Sequence, residues 1–216
     1  MTLHVDLYYS IRSPYCYLST LRLSELVADY DLKFRVKPIY PIAINDPGFF
    51  KNMSPLFFPY FKRDIERVAK KLNTPLNWPP RPDPITQNLE TRVIAPEQPL
   101  VRRLTHLAMV AVEKGRGLEF VTALSYMLYS VDGWDSGDHL ASAVSSAGLD
   151  LGELEQIADA EGERLEAGLA TNRANQLAAG HWGSPLFVFE KEIFFGQDRI
   201  EDLVWHLKNH GLSSRA

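Results

Sequence analysis

Strand signals sit only at the two ends of this chain, and that placement constrains its fold more than any other feature. Residues 3–9, LHVDLYY, alternate with a period of two and predict a strand. Ser13 then offers an N-cap hydroxyl, and Pro14 fills the first helical position, where its missing N–H costs nothing. A helix is expected from there to Asp29, with Leu18, Leu21 and Leu26 at helical spacing. LKFRVKPIY, 32–40, reads as a second strand, so the chain opens β-α-β. At the other end, residues 185–196 read as a hairpin of two short apolar runs, turned at Glu190-Lys191-Glu192 and closed by Gly196. QDRIEDLVWHLKNHG is an amphipathic helix ended by Gly211, so the chain closes β-β-α.

Between the ends the period is helical. Residues 59–72 place Ile65, Val68, Ala69 and Leu72 on one face. The segment 73–88 holds five prolines and breaks the pattern. Helical segments follow near 97–114, 118–131, 136–147, 151–160 and 162–179. There is no internal repeat and no low-complexity tract. Periodicity alone gives an α/β chain with a helical segment. A β-α-β unit and a β-β-α unit around a helical block match the thioredoxin-like layout with a large all-helical insertion. The expected domains are 1–42 with 180–216, and 43–179.

Composition narrows the function classes. With 45% hydrophobic and 23% charged residues among 216, a sizeable core is expected and disorder is not. The net charge of −4, without a long basic run, argues against nucleic acid as a partner. LAMVAV, 107–112, is far too short to span a bilayer, and the N-terminus lacks signal-peptide regions. A single cysteine excludes an internal disulfide framework, and the expected compartment is the cytoplasm. His4, His106, His139, His206 and His210 show no ligand spacing, so no metal is expected.

Ser13-Pro14-Tyr15-Cys16 has the shape of a redox C-x-x-C turn with serine in place of its first cysteine. SPYCYL (13–18), GHWGSPLFVF (180–189) and FFGQDRIEDL (194–203), in this order and spacing, resemble the DsbA-like thioredoxin superfamily. The likeness is to the branch of 2-hydroxychromene-2-carboxylate isomerases and kappa-class glutathione transferases, and it spans nearly the whole chain. The resemblance implies that Ser13 faces the sulfur of bound glutathione. Ser184, before a cis Pro185, would pair with the glutathione backbone as an added strand does. Asp198, with Gln197 before it, would hold the γ-glutamyl end. Asn52 is a further candidate glutathione contact. Tyr60 and Arg63-Asp64-Ile65 fit the family pattern, while Phe57 stands where the family often has a lysine. Tyr15, Tyr60 and Trp182 are candidate walls for a substrate.

The chemistry follows from the helix end. A first turn has unpaired N–H groups and about half a positive charge, a natural seat for a thiolate. A reference thiol ionises near ~8.5, and a favourable helix terminus supplies up to ~2 kcal/mol, against ~1.36 kcal/mol per pK unit. A bound thiol would thus approach neutral pH, and a serine hydroxyl would favour its ionised form. A serine cannot resolve a mixed disulfide, which suits attack on carbon better than redox exchange. Cys16, at the third helical position, is expected as a core residue, with the role of nucleophile as the alternative. The resemblance implies a glutathione-dependent isomerase acting on an aromatic substrate, working as a homodimer. The alternatives are a kappa-like glutathione transferase or peroxidase, a thiol oxidoreductase using Cys16, and a non-catalytic binding protein.

Overall fold

The strand expected near the N-terminus is β1 (Leu3–Tyr9), which buries Leu3, Val5, Leu7 and Tyr9 on one face. The structure, a computed structural model, describes residues 2–88, 90–91 and 93–215. α1 (Pro14–Asp29) starts where Ser13, in an extended conformation, accepts the Cys16 N–H on its side chain. β2 (Leu32–Pro38) runs parallel to β1, from Leu3 opposite Leu32 to Tyr9 opposite Pro38. It ends two residues before the expected limit, because Pro38 has no N–H and Pro41 turns the chain into the short helix α2 (Ile42–Asn45). α2 was not expected from periodicity.

The helical block comprises α3 (Phe57–Lys71), α4 (Pro99–Glu113), α5 (Gly117–Ser130), α6 (His139–Ser146), α7 (Leu151–Ala160) and α8 (Gly162–Ala178). The chain then returns to the sheet. β3 (Leu186–Phe189) pairs antiparallel with β1, and β4 (Glu192–Phe195) antiparallel with β3, giving the order β2-β1-β3-β4. The hairpin turn is Glu190-Lys191 alone, since Glu192 already pairs with Phe189. The closing helix is not continuous from Gln197. A 3₁₀ turn, Gln197–Arg199, comes first and α9 (Ile200–Asn209) follows. Gly196, at φ 106°, redirects the chain out of β4, so the first turn enters tightly wound.

One apolar cluster joins the sheet to the helices, with Leu7 and Phe187 packed among Leu18, Leu104, Leu124 and Leu203. Each fully buried leucine of this kind contributes about 1.5–3 kcal/mol. The other face of the sheet carries a small patch of Tyr8, Ile39 and Leu186. The insertion is fastened directly behind the first loop: the Tyr9 hydroxyl and Ser125 Oγ share a buried 2.6 Å hydrogen bond. Tyr17 of α1 stacks on Tyr129 of α5, ring centroids 4.7 Å apart. Among the described residues, no helix is long and apolar enough to cross a membrane.

Candidate functional site

The turn between β1 and α1 presents Ser13 at a helix N-terminus. Four backbone positions lie at this end, and three of them carry an N–H. The Ser13 N–H bonds to the Ser10 carbonyl at 3.0 Å, Pro14 has none, and the Cys16 N–H reaches Ser13 Oγ at 3.3 Å. Among the described residues, the Tyr15 N–H is the donor left without a partner. Ser13 Oγ also donates to the Ser184 carbonyl at 3.4 Å. That bond is long enough to be weak, so the hydroxyl can turn to a ligand at little cost.

Ser184 belongs to the loop between α8 and β3, and the Ser184–Pro185 peptide bond is cis. The Pro185 carbonyl accepts the Gly196 N–H at 3.0 Å, which ties this loop to the end of β4. A Cβ at Gly196 would lie 2.5 Å from Asp198 Oδ1, so a side chain there would push the Asp198 carboxylate aside. Gln197 is almost wholly buried, and its carbonyl accepts from Arg22 of α1 at 2.9 Å. Asp198 is exposed and pairs with Arg199 at 3.4 Å.

Tyr15 connects these parts. Its hydroxyl donates to Asp64 Oδ2 at 2.8 Å, and its ring meets Phe61 edge-on at 5.5 Å. Burial pushes its phenol well up, helped by the bond and charge of Asp64 and by the nearby Tyr60 and Asp198. The structure thus joins Ser13 to Ser184 and Pro185, and sets Tyr15 against Asp64 within electrostatic reach of Tyr60 and Asp198. Trp182 is 43% exposed and stands over the loop, stacked near His181 and 4.8 Å from the Phe49 ring. Asn52 is not joined to this group. It is exposed, and the backbone it follows folds back on Gly48, so its segment reaches the loop through Phe49 instead.

Cys16 lies beneath the site and is fully buried. Burial pushes its thiol up to about 11, against the lowering effect of bonds to the Ser10 N–H, Ser13 and Ser184. At neutral pH it is a protonated core side chain, which disfavours the nucleophile role.

Periodicity did not reveal several residues that hold the site. Arg12, one position before Ser13, lies over the Trp78 ring at 3.9 Å and forms a two-pronged bond to Asp83. The Arg12 carbonyl accepts from Tyr129 at 2.8 Å. Trp78 and Asp83 come from the five-proline segment, whose prolines marked a break but not its return to this loop. Arg173 and Gln176 of α8 hold the loop before Ser184, as described below.

A parallel-then-antiparallel sheet with a helical insertion, a serine at the first helix N-terminus and a cis-proline facing it define a thioredoxin-fold class. Within that class, the chain belongs to the DSBA-like thioredoxin domain family, which matches residues 4–208. It is 25% identical over 213 residues to a 2-hydroxychromene-2-carboxylate isomerase of Sphingobium xenophagum, covering 96% of this chain and 99% of that one. A solved structure of 2-hydroxychromene-2-carboxylate isomerase shares the fold at a TM-score of 0.71 and 20% identity, covering 96% of this chain and 95% of that one. The cytosolic disulfide reductase DsbM from Pseudomonas aeruginosa, solved with GSH, shares it at 0.59 and 17% identity, covering 96% and 98%.

Proposed function

We propose that this protein is a glutathione-dependent isomerase of the 2-hydroxychromene-2-carboxylate isomerase type. The observation that carries the reading is the convergence of the Ser13 hydroxyl and the Tyr15 N–H beside the Ser184 backbone, while the chain's own thiol is buried below. Relatives named as this isomerase, one of them matched along nearly its whole length, support the choice of reaction.

The residues present fit glutathione. A backbone edge next to a cis-proline suits pairing with a peptide. The α1 N-terminus and Ser13 suit a sulfur anion, and the turn at Gln197 and Asp198 offers a carboxylate for an amino group. Bound glutathione would supply a thiolate that adds reversibly to the aromatic substrate and leaves again after bond rotation.

The chain's own part is orientation and charge. Ser13 gives up its weak bond to Ser184 and donates to the sulfur, and the Tyr15 N–H adds a second donor. The Ser184 N–H and C=O fix the register of the tripeptide. The aromatic pairs Tyr15–Phe61 and Phe49–Trp182 suit the border of a flat apolar substrate. A cytoplasmic location and a homodimer belong to the same reading.

Calorimetric titration with glutathione, followed by turnover of a chromene carboxylate with and without it, tests the reading. Binding together with turnover only in its presence is the expected result. Glutathione binding with conjugation of electrophiles but no isomerisation would move the protein to the transferase reading. Absence of binding would remove glutathione from the account.

A further inference from the structure

The loop that delivers Ser184 is held from the helical insertion. Gln176 of α8 is fully buried, and its Nε2 donates to the Gly183 carbonyl at 2.6 Å. Its Oε1 accepts from the Arg173 guanidinium at 2.7 Å, so the amide can face only one way. The same guanidinium nitrogen donates to the Trp182 carbonyl at 2.9 Å. The Gly183 N–H donates to His181 Nδ1 at 2.9 Å. Gly183 passes close to β4, where a Cβ in its place would come within 2.4 Å of the Phe195 ring.

Two consecutive carbonyls and the intervening N–H are therefore fixed immediately before Ser184. Arg173 and Gln176 are three residues apart, so they share one helix face and act as a unit. A glutamine buried on a helix is costly unless both ends of its amide are bonded, and here both are. No part of this arrangement is needed to build the sheet, because β3 begins only at Leu186.

We propose that Gln176 and Arg173 are positioning residues that set the Ser184 backbone for pairing with glutathione. The proposal rests on the glutathione reading above and assigns α8 a part in it. The two residues do not touch the ligand. They act through Gly183 and Trp182, so their loss shows first in glutathione affinity and only secondarily in the rate at saturation.

The test compares Gln176→Met, which keeps the shape without the amide, with Arg173→Met and Arg173→Lys. Glutathione affinity is measured by calorimetry, KM and kcat by turnover, and exchange of the Gly183 and Ser184 amides by hydrogen–deuterium exchange on the unliganded protein. In Gln176→Met, glutathione Kd should rise about tenfold, equivalent to ~1.4 kcal/mol. Its KM for glutathione should rise in parallel while kcat stays within about threefold. The two amides should exchange faster, and Arg173→Lys, which keeps a donor, should stay near wild type. Unchanged affinity with unchanged exchange would overturn the proposal, as would a fall in kcat and stability at constant KM. If Gln176→Met does not fold, Arg173→Met decides the outcome by the same readouts, since its side chain is only partly buried. If the wild-type protein binds no glutathione, the ligand half falls with the parent reading, and amide exchange alone decides whether α8 holds the loop.

Discussion

Asp83 grips the Arg12 guanidinium with both carboxylate oxygens, at 3.0 and 2.7 Å, across 71 positions of sequence. Both side chains are largely buried, at 11% and 15% exposure. Asp83 also accepts from the Ile85 N–H at 3.0 Å and Gln87 Nε2 at 3.2 Å, so one carboxylate organises the proline-rich segment and anchors the loop before Ser13. Breaking a buried pair from one side leaves the other charge stranded and costs about 3–5 kcal/mol. Asp83→Ala should therefore lower the midpoint of thermal unfolding by roughly 10 °C, at about 2–4 °C per kcal/mol for a chain of this size. An unchanged midpoint in a thermal melt would show that the pair contributes no net stability.

Ser13→Ala should abolish most glutathione-dependent turnover and leave the protein folded. The hydroxyl caps α1 through the Cys16 N–H, and a lost cap costs about 0.5–2 kcal/mol, far less than unfolding requires. A melt and an activity assay on the same sample separate the two roles. Full activity in the variant would leave Ser13 as a cap alone.

Cys16 predicts a pH dependence. Its ordinary value is 9.0, and burial pushes the thiol up to about 11 in the folded chain. Between those values the folded state keeps a proton that the unfolded state has released, so stability falls as pH rises. The contribution is complete below pH 9 and is lost as pH climbs through 11. Denaturant melts between pH 8 and 10 should show the onset of this decline, and Cys16→Ala should reduce it; above pH 10 the raised phenols of Tyr9, Tyr15 and Tyr129 add a decline of the same sign. Alkylation of the native protein at pH 7 should be slow, because the thiolate is scarce and shielded. Rapid modification with loss of activity would restore the oxidoreductase reading.

Gly196→Ala should weaken glutathione binding more than it weakens the fold. A residue at φ 106° strains any L side chain, and the added methyl would displace Asp198. Calorimetry should show a higher Kd, with the unfolding midpoint down by only a few degrees. Normal affinity would mean that Asp198 has no part in holding the ligand.

Local patterns made much of the fold legible. The alternation in 3–9, the Ser13-Pro14 start and the hairpin at the far end each depend on near neighbours, and each is found where expected. The same is true of the cis bond before Pro185, which the resemblance pointed to. Features created by distant pairing were not legible. Nothing near Asp83 announces Arg12, and nothing on α8 distinguishes Gln176 from a surface glutamine until the loop packs over it. The 3₁₀ turn at Gln197–Arg199 also escaped notice, since its residues are equally compatible with an ordinary helix start. The role of Asn52 came from resemblance alone, and its segment meets the loop through Phe49.

β1 is hydrogen-bonded to β2, its near neighbour in sequence, and to β3, which lies beyond the whole helical insertion. A growing chain therefore completes the first helix and its serine long before the strand that must lie beside it exists. Ser13 and Ser184 stand 171 positions apart, and they meet only when the sheet is closed. Such long-range closure is slow compared with local helix formation. The Ser13–Ser184 pairing therefore forms late, after the helical insertion has been made and β3 has closed on β1.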